Sequence, residues 1–325
     1  MLIYVLRRIL LMIPVLVGVI IIIYTISYFM PGDPVAIVLG DTYTQEDYDK
    51  TAERLGLDKP FPVQLANYFK DLITKGEMGT SYYTGRSVAE EVGERAPISI
   101  KIGLLSCVVM IIVSLPIGII SAVKQNSVFD YITSTLSIIL AALPGFWLGL
   151  ELILLFSLKL RLLPASGLDS WKSYILPVIC NSTVAIAMVV RMTRSSMLEV
   201  IRADYIRTAR AKGLKERVVI MRHALKNALI PIITIIGAQF SMVIGGSVII
   251  ENIFSIPGMG ARLVTAINNR DYTMVVGISI VICTFTMVMV LITDLCYAMV
   301  DPRIKAEFES MYKRRKKTAK GKEAA

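Results

Sequence analysis

Four stretches of this 325-residue chain, 9–30, 102–123, 227–250 and 272–293, run for 22 to 24 residues without one charged side chain. A helix of 22 residues is about 33 Å long, enough to cross a hydrocarbon core of about 30 Å. A lone strand would leave its amides unpaired in lipid, and barrel strands need only about 9–11 residues. These blocks therefore predict membrane-spanning helices. Two more segments join them: 131–158, interrupted only by Glu151, and 173–190, the shortest. The reading is an all-α polytopic protein with six crossings. Only 18% of residues are charged, against about 25% in soluble domains, which argues against a water-soluble enzyme.

Proline punctuates most of the spans, at Pro14, Pro116, Pro144, Pro177 and Pro231. Each removes an amide and is tolerated where neighbouring helices cover the freed carbonyl. Gly245-Gly246 permits close backbone approach, for packing or for a hinge. Arg7 and Arg8 precede the first apolar run as in a secretion signal. That run ends in Met30-Pro31-Gly32-Asp33 with no small-x-small cleavage site, so it reads as a retained span.

Charge placement sets orientation. With the N-terminus inside, segments 1–8, 124–130, 191–226 and 299–325 hold 22 basic and 8 acidic residues, and the outer segments hold 12 and 15. This is a positive-inside bias, and both termini are expected in the cytoplasm of a prokaryotic cell membrane. The net charge of +10 thus marks topology and contact with membrane lipids, the 313–317 cluster included. Nucleic acid is not an expected partner, because no aromatics interleave with the basic residues.

The chain divides into a first span (1–30), an extracytoplasmic helical loop (31–98), a five-span core (99–298) and a basic tail (299–325). Within the loop, Thr44 with Asp47 reads as a capping box opening Gln45–Leu55, with Gly56 as its stop. A second helix is expected over 63–74 after Pro62. A third, capped by Ser87 with Glu90, is expected over 88–95 and ends before Pro97. Cys107, Cys180, Cys283 and Cys296 all lie in apolar runs without CxxC spacing, and His223 has no partner histidine. No metal site is expected. The chain lacks a GxxxxGK[ST] phosphate loop, so no catalytic residue and no nucleotide hydrolysis are assigned to it.

The inner loop 191–226 is the most informative polar stretch. Glu199, Asp204, Tyr205, Arg207, Thr208, Ala209, Arg210 and Lys212 lead to Gly213, a C-terminal stop. A short helix here, with small apolar contacts at Tyr205, Ala209 and Leu214 between charged flanks, suits docking in a groove of a cytoplasmic protein. A solvated topology anchor is the alternative. Within the spans, Glu151 is a costly carboxylate that needs protein, water or a partner. It is a candidate for the pathway or an inter-subunit contact, with Asn181, Gln239 and Ser241 as further polar candidates. Asp294 and Lys101 sit near span ends, where snorkelling can satisfy them. Phe146, Trp147 and Trp171 read as interfacial or packing aromatics.

Arg207-Thr208-Ala209 followed by Gly213, then Arg222-His223-Ala224-Leu225-Lys226-Asn227-Ala228-Leu229-Ile230-Pro231, resembles the "EAA" loop of permeases in binding-protein-dependent ABC importers. The version resembled is that of the oligopeptide, dipeptide and nickel subgroup. Arg207 and Thr208 replace the leading Glu and Ala of the general pattern, and Lys226 stands where proline is usual. Pro31-Gly32-Asp33-Pro34 resembles the first outer exit of that subgroup. Gly245 through Glu251, Phe254, Pro257-Gly258-Met259-Gly260 and Arg270-Asp271-Tyr272 resemble its fifth-to-sixth connection, and Asp301-Pro302-Arg303 its cytoplasmic exit.

The resemblance implies a permease subunit importing short peptides, with nickel or a metal chelate as the alternative cargo. It further implies a homologous second permease, two ABC ATPases carrying ATP and Mg, and an extracytoplasmic solute-binding protein. This chain itself would bind no cofactor. The 199–217 segment would be the coupling helix. Asp33, Glu251, Phe254, Pro257, Gly258, Gly260, Arg270 and Asp271 would lie on the outer-gate and binding-protein side. A gradient-driven secondary transporter and a non-transport scaffold are the readings from other classes.

Overall fold

In a computed structural model the backbone is described for residues 2–40 and 42–300, and side chains for 5–40 and 42–296. The 313–317 cluster and Asp301-Pro302-Arg303 lie outside the described residues. The protein is all-helical, and among the described residues the nearest thing to a strand is one bridge, Thr80 with Ser87. Five helical stretches are long and apolar enough to cross a membrane, and a bent pair makes a sixth if counted as one span.

The first span is α1 (Leu2–Phe29), carrying Pro14 inside it. Three short helices follow in the loop expected to be extracytoplasmic: α2 (Pro34–Leu39), α3 (Gln45–Leu55) and α4 (Phe61–Lys75). Helix α2 was not anticipated, although its signal is in the chain: Asp33 accepts from Val35 N at 2.9 Å and Pro34 occupies the first turn. Helix α3 has its capping box. Asp47 N donates to Thr44 Oγ1 at 3.2 Å, Thr44 N donates back to Asp47 Oδ2 at 3.2 Å, and Gly56 closes the helix at φ +69°. The Thr44 hydroxyl, donating to Asp47 Oδ2 at 2.6 Å, and then the Thr44 amide hold the Asp47 carboxyl below its ordinary pKa.

Helix α5 (Val88–Val123) overturns two expectations. It runs through Pro97 as one 36-residue helix, and Ser87 makes no side-chain cap. The proline ring faces the carbonyl of residue i−4, which here is Gly93, with open space where a side chain would stand. Arg86 forms the local anchor instead, bonding Glu94 at 2.7 and 3.2 Å.

The stretch expected to span over 131–158 is broken. Helix α6 (Val128–Ala142) meets α7 (Gly145–Leu152) at Leu143-Pro144 with a bend of 106°, and a π-helical turn (Ile153–Lys159) ends the pair. Pro144 removes the donor that would have continued α6. A short 3-10 turn (Trp171–Tyr174) then leads into α8 (Ile175–Ile201), eleven residues longer at its inner end than the expected 173–190 span. Past α9 (Asp204–Ala211) and α10 (Glu216–Val218), a π-helical turn (Val219–Ala224) feeds α11 (Leu225–Ile253). Helical backbone is thus continuous from Glu216 to Ile253. The last elements are α12 (Met259–Asn268) and α13 (Tyr272–Val300).

Helix α8 sits at the centre, packed on α5, α6 and α11. Small residues set these separations, as in other membrane bundles. A Cβ on Gly118 of α5 would lie 2.6 Å from Thr193 of α8, and one on Gly237 of α11 would lie 2.0 Å from Thr293 of α13. A large apolar cluster forms at this crossing, from Met110, Val189 and Met197 to Ile206, Ala224 and Ile232.

Candidate functional site

The inner loop is mostly helical. Helix α9 is held down by Ile206 and Ala209, spaced i, i+3 on one face and buried in the cluster with Met197, Val219, Ile220 and Ala224. This corrects the place of Ala209, whose methyl packs inward and leaves no contact for a partner. Tyr205 stays half exposed, its hydroxyl accepting from Asn227 Nδ2 at 3.1 Å. Arg210 forks onto Glu216 at 3.1 and 2.6 Å, which closes the loop and holds the guanidinium above its ordinary pKa. Between them Gly213 takes φ +76°, a left-handed turn that favours glycine.

What faces outward on α9 and its flanks is Asp204, Arg207, Thr208, Lys212 and Leu214, with Glu199 exposed on the last turn of α8. Arg207 makes only a loose 3.9 Å pair with Asp204, both side chains being largely in solvent. The segment is therefore a rigid, internally anchored projection with a predominantly basic outer face.

Its root is fixed by a clasp that the sequence reading did not identify. Asp130 on α6 is buried and takes Arg194 of α8 on both oxygens, at 2.5 and 2.7 Å. Ser121 Oγ at 2.5 Å and the Asn126 amide at 3.0 Å also donate to it. The turn joining α5 to α6 is thereby tied to the stretch of α8 that enters α9.

The outer end carries a second network around α12. Glu251, the last acidic residue of α11, is fully buried and caps α12 from outside its own sequence. Its Oε2 accepts from Gly260 N at 2.6 Å and Ala261 N at 3.2 Å, while Met259 N donates to Ser99 Oγ at 2.8 Å. Gly258 and Gly260 are required by this approach, since a Cβ on them would fall 2.4 Å from the Glu251 carboxylate and from the Val248 backbone, respectively. One turn on, Arg262 bonds Glu91 of α5 at 2.7 Å and Asp271 at 3.4 Å, all three buried. Asp271 also receives the Ser81 hydroxyl and the Tyr82 amide, the latter at 3.0 Å.

These contacts revise the outer-gate candidates. Glu251, Gly258, Gly260 and Asp271 are internal fasteners, and Phe254 is core, 1% exposed beside Ile102 and Leu176. None of the five offers a surface to a soluble protein, because burial and close packing consume them. Pro257 is exposed. Arg270 is half buried against Gly32, and Asp33 caps α2. Arg262 and Glu91 were missed: they stand 171 positions apart, and no local pattern links them.

The polar residues of the spans divide as well. Asn181 donates to Ser106 Oγ at 3.2 Å and to the Val243 carbonyl at 3.1 Å, joining α8 to α5 and α11. Gln239 is buried, whereas Ser241 lines a cavity of about 350 Å³ with Thr234, Thr293 and Asp294. Asp294 lies 3.1 Å from Arg8 of α1. Lys101 rests over the Tyr174 ring at 4.3 Å from its centroid. Glu151, on α7, is exposed and has no hydrogen-bond or ion-pair partner among the described residues. Among them no group of three or more His, Cys, Asp or Glu could hold a metal ion.

Two family descriptions match the chain. "Binding-protein-dependent transport system inner membrane component" covers residues 114–306, and the N-terminal membrane component of the same systems covers 1–103. The chain is 40% identical to the dipeptide transport system permease protein DppB of Alkalihalophilus pseudofirmus, over 94% of this chain and all of that one. It is 37% identical to the oligopeptide permease AppB of Bacillus subtilis and 36% to DppB of Escherichia coli, each over 93% of this chain and 98% of the relative. In fold it resembles a chain of the MetNI methionine ABC transporter in inward-facing form, with a TM-score of 0.53, 15% identity, and coverage of 65% of this chain and 96% of that one. The chain belongs to the binding-protein-dependent transport system inner membrane component family.

Proposed function

We propose that this member of the binding-protein-dependent transport family is the membrane-spanning permease subunit of an ATP-driven importer of short peptides. The observation that carries the reading is identity of 35–40% over at least 93% of the chain to permeases named for dipeptides, oligopeptides and glutathione. Those names favour peptide cargo over nickel. The chain forms half of the pathway with a homologous second permease and performs no catalysis itself. Two ABC ATPases carry ATP and Mg beneath it, and an extracytoplasmic binding protein delivers the peptide.

The projection at α9 is the part that touches an ATPase, through Arg207, Thr208, Lys212 and the exposed edges of Tyr205 and Arg210. Both termini and α9 face the cytoplasm, as the charge distribution supports. Burial of Ile206 and Ala209 makes α9 move with the base of α11, so closure of the ATPases on ATP is transmitted to the spans. At the other end, Glu251 and Arg262 fasten α12 between α5, α11 and α13, where the outer mouth would be gated.

The test is uptake by proteoliposomes holding this chain with its second permease, ATPases and binding protein. ATP-dependent accumulation of a labelled dipeptide is expected. Accumulation of Ni²⁺ with no peptide would replace the cargo. Gradient-driven peptide uptake by this chain alone would overturn the transporter class.

A further inference from the structure

A cavity of about 530 Å³ lies beneath the outer cap, between the end of α1, helices α2 to α4 and the start of α13. That volume suits a small-molecule ligand. Four carboxylates line it, Asp33, Asp49, Glu53 and Asp58, and no Lys or Arg does. Asp49, Glu53 and Asp58 are exposed and mark its mouth, whereas Asp33 is partly buried. Lys50, next in sequence to Asp49, is engaged elsewhere, with Glu46 at 2.6 Å. The nearby cations are Arg54 and Lys59, which follow Glu53 and Asp58 in the sequence, and Arg270, whose guanidinium packs against Gly32; among the described residues none of the three forms an ion pair with any of the four.

The walls are aromatic. Tyr24, Tyr28, Tyr48, Tyr82 and Tyr272 all border the cavity, and Tyr82 and Tyr272 meet edge to face with centroids 6.5 Å apart. Phenol rings attract cations by their faces and offer apolar area to a stem. An independent sign of a ligand comes from α1. Ser27 lines the cavity, is only 3% exposed, and its hydroxyl has no hydrogen-bond partner among the described residues. A serine in a helix can satisfy its hydroxyl on the carbonyl four residues back, as Thr25 does with Ile21 at 2.6 Å; Ser27, in the last turn of α1, does not. Ser27 instead leaves its hydroxyl free on a side chain otherwise enclosed by protein, where a group inside the cavity can reach it.

We infer that this cavity is a binding site for a small organic cation, a primary ammonium on an apolar or aromatic stem. The stem lies among the tyrosines, the Ser27 hydroxyl accepts an N–H, and the carboxylates at the mouth balance the charge. Two sources supply that chemistry: a free amine arriving from outside, or the ammonium headgroup of a phospholipid in the outer leaflet beside α1. The site is separate from the α9 projection, adjoins the α12 network through Tyr82 and Tyr272, and does not depend on the cargo assigned above.

The experiment is calorimetric titration of the assembled transporter, in an amine-free detergent, with 2-phenylethylammonium, its neutral isostere 2-phenylethanol and the anion 3-phenylpropanoate. Saturable binding of the ammonium, at least about tenfold tighter than either analogue, is expected. The double variant Glu53→Gln/Asp58→Asn should weaken it about tenfold. Ser27→Leu, which fills the cavity from α1 with an apolar side chain that a membrane helix accommodates, should abolish it. Unchanged melting of each variant shows that it folds. A parallel arm extracts lipid from the transporter purified out of membranes containing phosphatidylethanolamine and phosphatidylglycerol. Stoichiometric ethanolamine lipid, lost in Ser27→Leu, assigns the headgroup as the source and supports the same site. Equal binding of alcohol and ammonium, or neither amine nor ethanolamine lipid retained, overturns the inference.

Discussion

Removing the carboxylate of Asp130 is the sharpest test of how the inner projection is held. The side chain is 2% exposed, takes both hydrogen bonds of the Arg194 fork, and also accepts from Ser121 and the Asn126 amide. Breaking a fully buried pair by deleting one partner costs about 3–5 kcal/mol. Arg194 is 31% exposed, so water recovers part of that, and about 2–3 kcal/mol is expected for Asp130→Ala. Arg194→Met should cost at least as much, since it leaves the nearly inaccessible Asp130 carboxylate without its cation and with only Ser121 and the Asn126 amide to hold it. A double-mutant cycle between the two should return a coupling of about 1–2 kcal/mol. The assay is equilibrium unfolding of the reconstituted transporter in mixed micelles, paired with peptide uptake and ATP turnover. Because the clasp anchors α8 where it enters α9, Asp130→Ala should lower uptake severalfold more than it lowers ATP turnover. A coupling below about 0.3 kcal/mol, or equal loss of both activities, would refute the claim that this pair holds the root of the projection.

Arg262→Met should destabilise the outer end by about 3 kcal/mol, because Glu91 and Asp271 are left buried without their cation; hydrogen exchange across α12 checks it, and protection unchanged there would contradict it. Gly237→Ala should force α11 from α13, since its new methyl meets Thr293 at 2.0 Å, and Thr293→Ser should restore part of the melting temperature by removing that Cγ2. Charge reversal by Arg207→Glu should leave melting unchanged, the side chain being in solvent, yet weaken co-purification of the ATPases; retention of wild-type complex would count against α9 as the docking element. The depressed pKa of Asp47 stabilises the start of α3 above the unfolded carboxylate value and loses that contribution as pH falls through the folded value. Amide exchange at 45–48 should therefore accelerate on acidification, and Thr44→Ala should weaken the dependence, leaving the part due to the residue-44 amide.

Periodicities and punctuation legible in the chain reached the spans, the Thr44 box and the Gly56 stop, because each depends on neighbours within a turn or two. Reading stopped where a proline's effect depended on its surroundings. Pro97 is absorbed into α5 above Gly93, while Pro144 breaks a span by 106°. The outer-gate candidates are legible as a motif, but burial of Glu251 and Asp271 is not, since it is decided by what packs on them. Arg262 with Glu91, and Arg194 with Asp130, were unreadable for the same reason: their partners come from other helices. A lone charge bordering an apolar block is the signal such pairs leave.

The unbroken run from Glu216 to Ile253 is 38 residues, about 57 Å at 1.5 Å each, with Pro231 its single interior proline. Its lower tip is pinned by Arg210 and its upper tip holds the cap of α12 through Glu251. Such a spar works as a crank: a tilt of about 5° about one tip swings the other sideways by about 5 Å, more than the width of a water molecule. The π-helical turn at Val219–Ala224, Pro231 and Gly245-Gly246 are the places along it where such a swing could be taken up, so stiffness at these three points decides how far a push at one tip reaches the other.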